Sequence, residues 1–566
     1  MEDNEEALFD GVMREVGMAG RFQRRFNLVF NLVLVVFATM SNLNLVFAMA
    51  VPAHWCHVPG RERANLTLHQ WKSITLPREN NSRGVETFDN CNMYNWSEPI
   101  TEELLNRSKE DVEIIGCRDG WDYDRTWYTS TAPSQQSWVC DRELRVTNTF
   151  VASQAGDLVG SFVFGQLGDI IGRRPVFLIT LSLLVVGRSM ATVAAGVYPL
   201  FLATCFLGTV ATNSICVSCV AVGMEISARD QSSHIAILQC LGWTAGLCLM
   251  PMIAWATGDW KSFLLISSLP CSVFFLTVWM FPESPRWLAA RGRTRECLRQ
   301  LRGIARVNGT AVPESAAEVL RKLGEDKETS YGFASLFSSW TLARNTFLVM
   351  LCWLINMLSY YTLTLNVTNM SGNPFLNFFW QALVELPGYL AGRALSDRYG
   401  RRWTQSAGFA AIVVGCVGLV VTSIDPTLEW LTTTMVVFVK FCFTVTNYVI
   451  YLQGIEIYPT CIRQSGTSVG TLVSTSLGMV SPYIVYLGST TDVRLPYLIL
   501  GCMALLGAGA AAFLPETLGV KLPETLHDAQ RFGVDQRFWS LGRPAPAAPG
   551  CRSRKQQQQQ QQRSEL

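Results

Sequence analysis

Gly165-Gln166-Leu167-Gly168-Asp169-Ile170-Ile171-Gly172-Arg173-Arg174 recurs 228 residues later as Arg393-Ala394-Leu395-Ser396-Asp397-Arg398-Tyr399-Gly400-Arg401-Arg402. Each copy follows an apolar stretch of membrane-spanning length and precedes another. Pro282-Glu283-Ser284 and Pro515-Glu516-Thr517 close the two halves that the repeat defines. Parallel six-helix repeats build one major transporter architecture, in which the halves rock around a central site. The motif has its own physical logic. Glycine permits a sharp turn and a tight backbone approach. An aspartate at the water-facing end of a helix can pair with arginines across the bundle and latch one conformation. Gly165, Asp169, Arg173 and Arg174, with Asp397, Arg401 and Arg402, are the expected latch residues.

Working outward, apolar spans fall at about 26–51, 150–168, 176–195, 199–221, 235–256, 261–281, 345–366, 375–396, 403–423, 430–451, 465–488 and 495–514. About 20 apolar residues suffice to cross a bilayer. These twelve are helices one to twelve, and they predict an all-α membrane protein. Composition agrees, with 49% hydrophobic and 16% charged residues, against about 25% charged in soluble domains. The net charge of +2 suggests no nucleic-acid partner. The acidic start, Met1-Glu2-Asp3-Asn4-Glu5-Glu6, is unlike a cleavable signal. Seven arginines between Arg286 and Arg306 mark the loop after helix six as cytoplasmic. By parity, the long loop after helix one is then extracellular. The chain divides into a cytoplasmic N-terminus over 1–25 and a first half over 26–281 with its extracellular loop at 52–149. A cytoplasmic linker over 282–343, a second half over 344–515 and a cytoplasmic, largely disordered tail over 516–566 follow.

Four of the seventeen cysteines, Cys56, Cys91, Cys117 and Cys140, lie in the extracellular loop. They fit two disulfides, and three connectivities are open. The same loop carries glycosylation patterns at Asn65, Asn80, Asn95 and Asn106. Asn308, in the linker, is expected to stay unglycosylated.

Ionisable residues inside the hydrocarbon zone are costly and are functional candidates by default. Four stand out: Asp157, Arg188, Glu385 and Lys440. At about 1.5 Å per residue, Asp157 and Arg188 lie at similar depths, roughly 18 and 21 Å from the cytoplasmic end. Helices two and three form a hairpin, so the two residues are expected to pair. Otherwise Asp157 binds a coupling ion or the substrate. Glu385 and Lys440 come close in depth, and the lysine stem can close the gap between them. If paired, they make a nearly neutral site suited to a zwitterion. Trp353, Tyr360, Tyr361 and Trp380 offer rings for cation–π attraction to an ammonium group.

The chain resembles the organic cation/anion/carnitine transporter family (solute carrier family 22) of the major facilitator superfamily over about residues 9–530. The resemblance rests on Gly20-Arg21-Phe22-Gln23, on Cys117-Arg118-Asp119-Gly120-Trp121-Asp122-Tyr123-Asp124 and on Val139-Cys140-Asp141. It also rests on Glu283-Ser284-Pro285-Arg286-Trp287-Leu288, on Glu456-Ile457-Tyr458-Pro459-Thr460 with Ile462-Arg463-Gln464, and on Leu514-Pro515-Glu516-Thr517-Leu518-Gly519. It implies that Glu283, Arg286, Glu456 and Arg463 join the latch. Ala382-Leu383-Val384-Glu385-Leu386-Pro387 is similar to the glutamate–proline element of cation and carnitine carriers. Tyr361 sits where the family often has a tyrosine, which makes it the preferred ring. There are departures. Thr204 stands where the family usually has an arginine, and Glu225 and Arg229 are four apart rather than seven. Thr475 stands where anion carriers have an arginine and cation carriers an aspartate.

The expected function is alternating-access transport of small organic cations or carnitine-like zwitterions. An organic anion carrier, or a receptor-like member that has lost transport, is the alternative. Glu385, Lys440, Tyr361, Asp157 and Thr475 are the expected substrate contacts, with Na or H as a coupling ion. The expected location is the plasma membrane, multi-pass, with both termini cytoplasmic. No P-loop, cofactor motif, metal-ligand cluster or catalytic chemistry is expected.

Overall fold

The computed structural model describes residues 11–64, 66–80, 86–96, 109, 112–228, 231–323, 333–520, 523, 529–530, 532–533 and 536. Helix one runs Arg21–Ala48, helix two Leu144–Ile171 and helix three Arg173–Ala194. Helices four, five and six follow at Tyr198–Ile226, Ser232–Thr257 and Trp260–Met280. The second half repeats the pattern with helix seven at Trp340–Leu365 and helix eight at Pro374–Leu383 and Glu385–Tyr399. Helices nine and ten are Arg401–Thr422 and Glu429–Ile457. Helix eleven is Thr460–Gly478 with Ser481–Thr490, and helix twelve is Leu495–Phe513. The all-α, twelve-helix expectation holds. Ten of these helices are long and apolar enough to cross a membrane, and helices two and eight are not among them. Those two carry Asp157 and Glu385 together with the charged repeat, which is why they fall short.

Two helices break where proline dictates. Pro387 lacks an N–H and its ring crowds the carbonyl four residues earlier. Helix eight accordingly ends at Leu383 and restarts at Glu385. Pro482 has the same relation to the break in helix eleven after Gly478.

Within the first half, helix four packs against both helix two and helix three and lies between them. Small residues let its backbone come close. A Cβ on Gly160 would collide with the Val210 carbonyl, and one on Gly187 would stand 2.5 Å from the Gly208 nitrogen. The hairpin neighbours two and three therefore do not face each other along their length.

The two halves meet at the end that bears the long loop. Phe47 of helix one lies 5.2 Å, ring centre to ring centre, from both Phe375 and Phe378 of helix eight. Tyr486 donates to Glu143 at 2.7 Å, Tyr483 to Asn148 at 2.9 Å and Gln154 to Ser481 at 3.4 Å. At the opposite end, which bears the repeated motif, no hydrogen bond or ion pair joins the halves among the described residues.

The long loop is a small folded unit. Disulfides Cys56–Cys117 and Cys91–Cys140 settle the connectivity. Three two-stranded antiparallel sheets surround them, pairing His54–Cys56 with Trp121–Tyr123, Arg78–Asn80 with Glu86–Phe88, and Asn92–Tyr94 with Ile114–Gly116. Asn65 and Asn106 lie outside the described residues, as does the side chain of Asn80. Asn95 donates to Glu113 at 3.1 Å. The linker is more ordered than its polar composition suggests. It forms helices Pro285–Ala290, Thr294–Asn308 and Ala316–Leu323. Their apolar faces bury Val12, Met13 and Val16 of the N-terminal segment against Leu301, Ile304 and Leu320. Asn308 ties that segment down through the Val16 and Gly17 carbonyls, at 3.2 and 2.9 Å.

Candidate functional site

Glu385 and Lys440 do meet. The restart of helix eight places Glu385 in the first turn of a half-helix, where the positive end of the helix dipole favours a carboxylate. Lys440 reaches across from helix ten to stand 3.3 Å from Glu385 Oε1. Both side chains are buried, at 1% and 2% exposure. The ammonium also donates to Thr364 Oγ1 at 3.0 Å and sits 3.4 Å over the centre of the Tyr360 ring. Carboxylate, hydroxyl and aromatic face together form a complete ammonium site, and the protein's own lysine occupies it. Neither carboxylate oxygen of Glu385 accepts an aligned hydrogen bond from the described residues. Cys240 and Cys248 of helix five, from the other half, lie within electrostatic reach of Glu385.

Tyr360, rather than the expected Tyr361, carries the cation–π contact. Tyr361 is one residue further round helix seven and meets Tyr360 edge-on at 5.7 Å. It faces the first half instead, within electrostatic reach of Asp157. Trp380 is half exposed on the outer surface, and Trp353 packs under Gly454 and Gly470 of helices ten and eleven. Neither of the two reaches the lysine.

The expected Asp157–Arg188 pair does not form. Asp157 Oδ1 and all three guanidinium nitrogens of Arg188 lack a hydrogen-bond partner among the described residues. The reason is helix four, wedged between their two helices. Asp157 lies instead within electrostatic reach of Cys216 on helix four and of Tyr361 in the other half. Thr475 is half-buried on helix eleven and makes no side-chain hydrogen bond among the described residues. Thr204 turns its hydroxyl to the Phe201 carbonyl.

The repeated motif forms the same device twice. Gly172 and Gly400 take φ values of +103° and +90°, which a side chain would strain. Glu283 then accepts from the Arg173 backbone N–H at 2.7 Å, and Glu516 accepts from that of Arg401 at 2.8 Å. Each glutamate thus caps the start of the following helix, three or nine. The Arg173 guanidinium bridges Asp169 at 3.0 Å and Glu225 at 3.4 Å. Arg401 lies 3.4 Å from Asp397 and grips Glu456 with two hydrogen bonds of 3.1 Å. Arg286 lies within electrostatic reach of Glu225. Arg174 donates to the Val278 carbonyl at 3.4 Å, and Arg402 lies 5.3 Å from the Trp403 ring centre. All of these contacts close within one half. Gly165 meets open space and is not a close-approach position. Arg229 and the side chain of Arg463 lie outside the described residues.

Two six-helix halves, joined at one end and sharing a buried charged centre, define a transporter that works by moving one half against the other. The comparisons with known proteins agree. The family model "Sugar (and other) transporter" matches residues 115–528. Mouse solute carrier family 22 member 21 is 30% identical over 537 residues, covering 92% of this chain and 93% of that one. Human organic cation/carnitine transporter 2 is 30% identical over 534 residues, covering 92% and 94%. The inward open xylose transporter XylE of E. coli superposes with a TM-score of 0.56 at 16% identity, covering 88% and 98%, and shares the fold. The chain belongs to solute carrier family 22 of the major facilitator superfamily, the organic cation, anion and carnitine transporters.

Proposed function

We propose that the chain carries small organic cations, and zwitterions bearing an ammonium group, across the plasma membrane by alternating access. The observation that carries this is Asp157. Glu385 and Lys440 cancel each other, whereas Asp157 has no cationic partner among the described residues. Once ionised, Asp157 gives the centre a negative charge that no cation among the described residues offsets. Names of relatives such as organic cation/carnitine transporter 2 support the same class. The lysine in the Glu385–Tyr360–Thr364 site stands in for a substrate ammonium, which would compete with it for those contacts. A carnitine-like carboxylate would then find the displaced lysine. A coupling Na or H, where one drives uptake, would use the Asp157 carboxylate.

The arginine-rich linker and both termini belong on the cytoplasmic side by the positive-inside rule. The long loop is then extracellular, carries any glycans, and the described state is closed to the outside.

Uptake of a labelled model cation, carnitine and a model anion into expressing cells tests the proposal. Cation uptake is expected to exceed anion uptake, and Asp157→Asn is expected to lower it about tenfold or more at equal surface abundance. No uptake of any panel member despite normal surface expression would sink the transporter reading in favour of the receptor-like one. A second check uses the two half-buried cysteines. A charged methanethiosulfonate that reaches Cys240 or Cys248 from the cytoplasmic side is expected to block uptake, and excess substrate is expected to slow the block. Full activity after confirmed modification of both would place helix five outside the path.

A further inference from the structure

We propose that Arg188 holds a monatomic anion, chloride in physiological solution, in the seam between helices three and four. The side chain is 0% exposed. Its Nε, Nη1 and Nη2 all lack a hydrogen-bond partner among the described residues. Among the described residues, the one ionisable group within its electrostatic reach is the thiol of Cys205, and no carboxylate pairs with it. A guanidinium does not shed its proton in a protein. A buried charge persists only when it is paired or coordinated, and removing one partner of a buried pair is strongly destabilising. Nothing among the described residues supplies the countercharge, so it comes from solution.

The surroundings select the size of the ion. Gly187 lies against the backbone of Gly208, and a Cβ on Gly208 would stand 3.1 Å from Arg188 Cδ and 3.2 Å from its Nε. Ala191, Phe201 and Cys205, on the same two helices, are buried members of one apolar cluster. A seam this close-packed and apolar favours a monatomic ion over a bulkier organic carboxylate, and the guanidinium fork presents five N–H donors to it. The same enclosure separates Arg188 from the charged centre at Glu385 and Lys440, so this site is structural and does not depend on what is carried.

The test is thermal unfolding of the purified full-length protein in detergent, at fixed ionic strength, with chloride exchanged for gluconate. A ligand that binds only the folded state stabilises it in proportion to the logarithm of its concentration above Kd. The melting temperature is expected to rise saturably with chloride, with bromide substituting and gluconate not. Arg188→Met is expected to lose that dependence. Equal melting temperatures in chloride and gluconate would overturn the proposal. So would a halide dependence that persists in Arg188→Met, which places the ion elsewhere. Should the methionine variant not fold, Arg188→Lys takes its place, and a chloride midpoint identical to that of the wild type would overturn the assignment to Arg188.

Discussion

Uptake of an organic cation is expected to fall about tenfold or more in Glu385→Gln, even after correction for surface abundance. Two losses combine. The first is structural. The glutamine leaves the Lys440 ammonium buried at 2% exposure with only Thr364 and the Tyr360 ring for company. Stripping one partner from a buried pair costs about 3–5 kcal/mol, so less protein is expected at the surface. The second is functional. The carboxylate is the one anionic element of the ammonium site, and a neutral amide cannot replace its attraction. The double variant Glu385→Gln/Lys440→Met separates the two. It removes both charges, so surface abundance is expected to recover while cation uptake stays low. If cation uptake returns in full with the double variant, Glu385 serves only to neutralise the lysine. Lys440→Met alone leaves Glu385 free for substrate. Among the molecules that fold, it is expected to raise apparent cation affinity and to lower apparent carnitine affinity.

The Glu385–Lys440 contact was legible in the sequence because both residues are deep, oppositely charged and close in depth along their helices. The same argument failed for Asp157 and Arg188. Depth along the membrane normal follows from counting residues, but the azimuth of a helix in its bundle does not. Helices adjacent in sequence looked adjacent in space, and helix four came between them. The glycines that admit it, Gly160 and Gly208 among them, carry no mark in one sequence that separates close packing from simple tolerance. Tyr360 and Tyr361 differ by one residue and by about 100° around the helix, so the choice of ring also needed coordinates. The repeated motif was plain as a pattern. Of its partners, Glu283 and Glu456 were legible only through the family resemblance and Glu516 was not named as a partner, because Glu283 and Glu516 lie more than a hundred residues away in the chain from the helix starts they cap.

Loss of those caps gives the second large effect. Glu516 is 3% exposed and accepts from the backbone N–H groups of Arg401 at 2.8 Å and Arg402 at 3.2 Å. It also accepts from Thr517 and Leu518, both at 3.0 Å. Glu516→Ala leaves two N–H groups at the start of helix nine without a partner. Each orphaned buried donor costs about 1–3 kcal/mol, so about 2–6 kcal/mol is expected for the two, read as a lower melting temperature. Glu516→Gln retains an acceptor oxygen but loses the charge at the helix N-terminus, and is expected to fall between. Glu283→Ala is expected to cost less than Glu516→Ala, since Glu283 is partly exposed and water can replace it. The ordering also tests what the motif is for. Its contacts stay inside each half, so both alanine variants are expected to lose stability with little change in which side of the membrane the centre faces. A variant with undiminished melting temperature and altered accessibility of Cys240 would instead make the cap a latch between conformations.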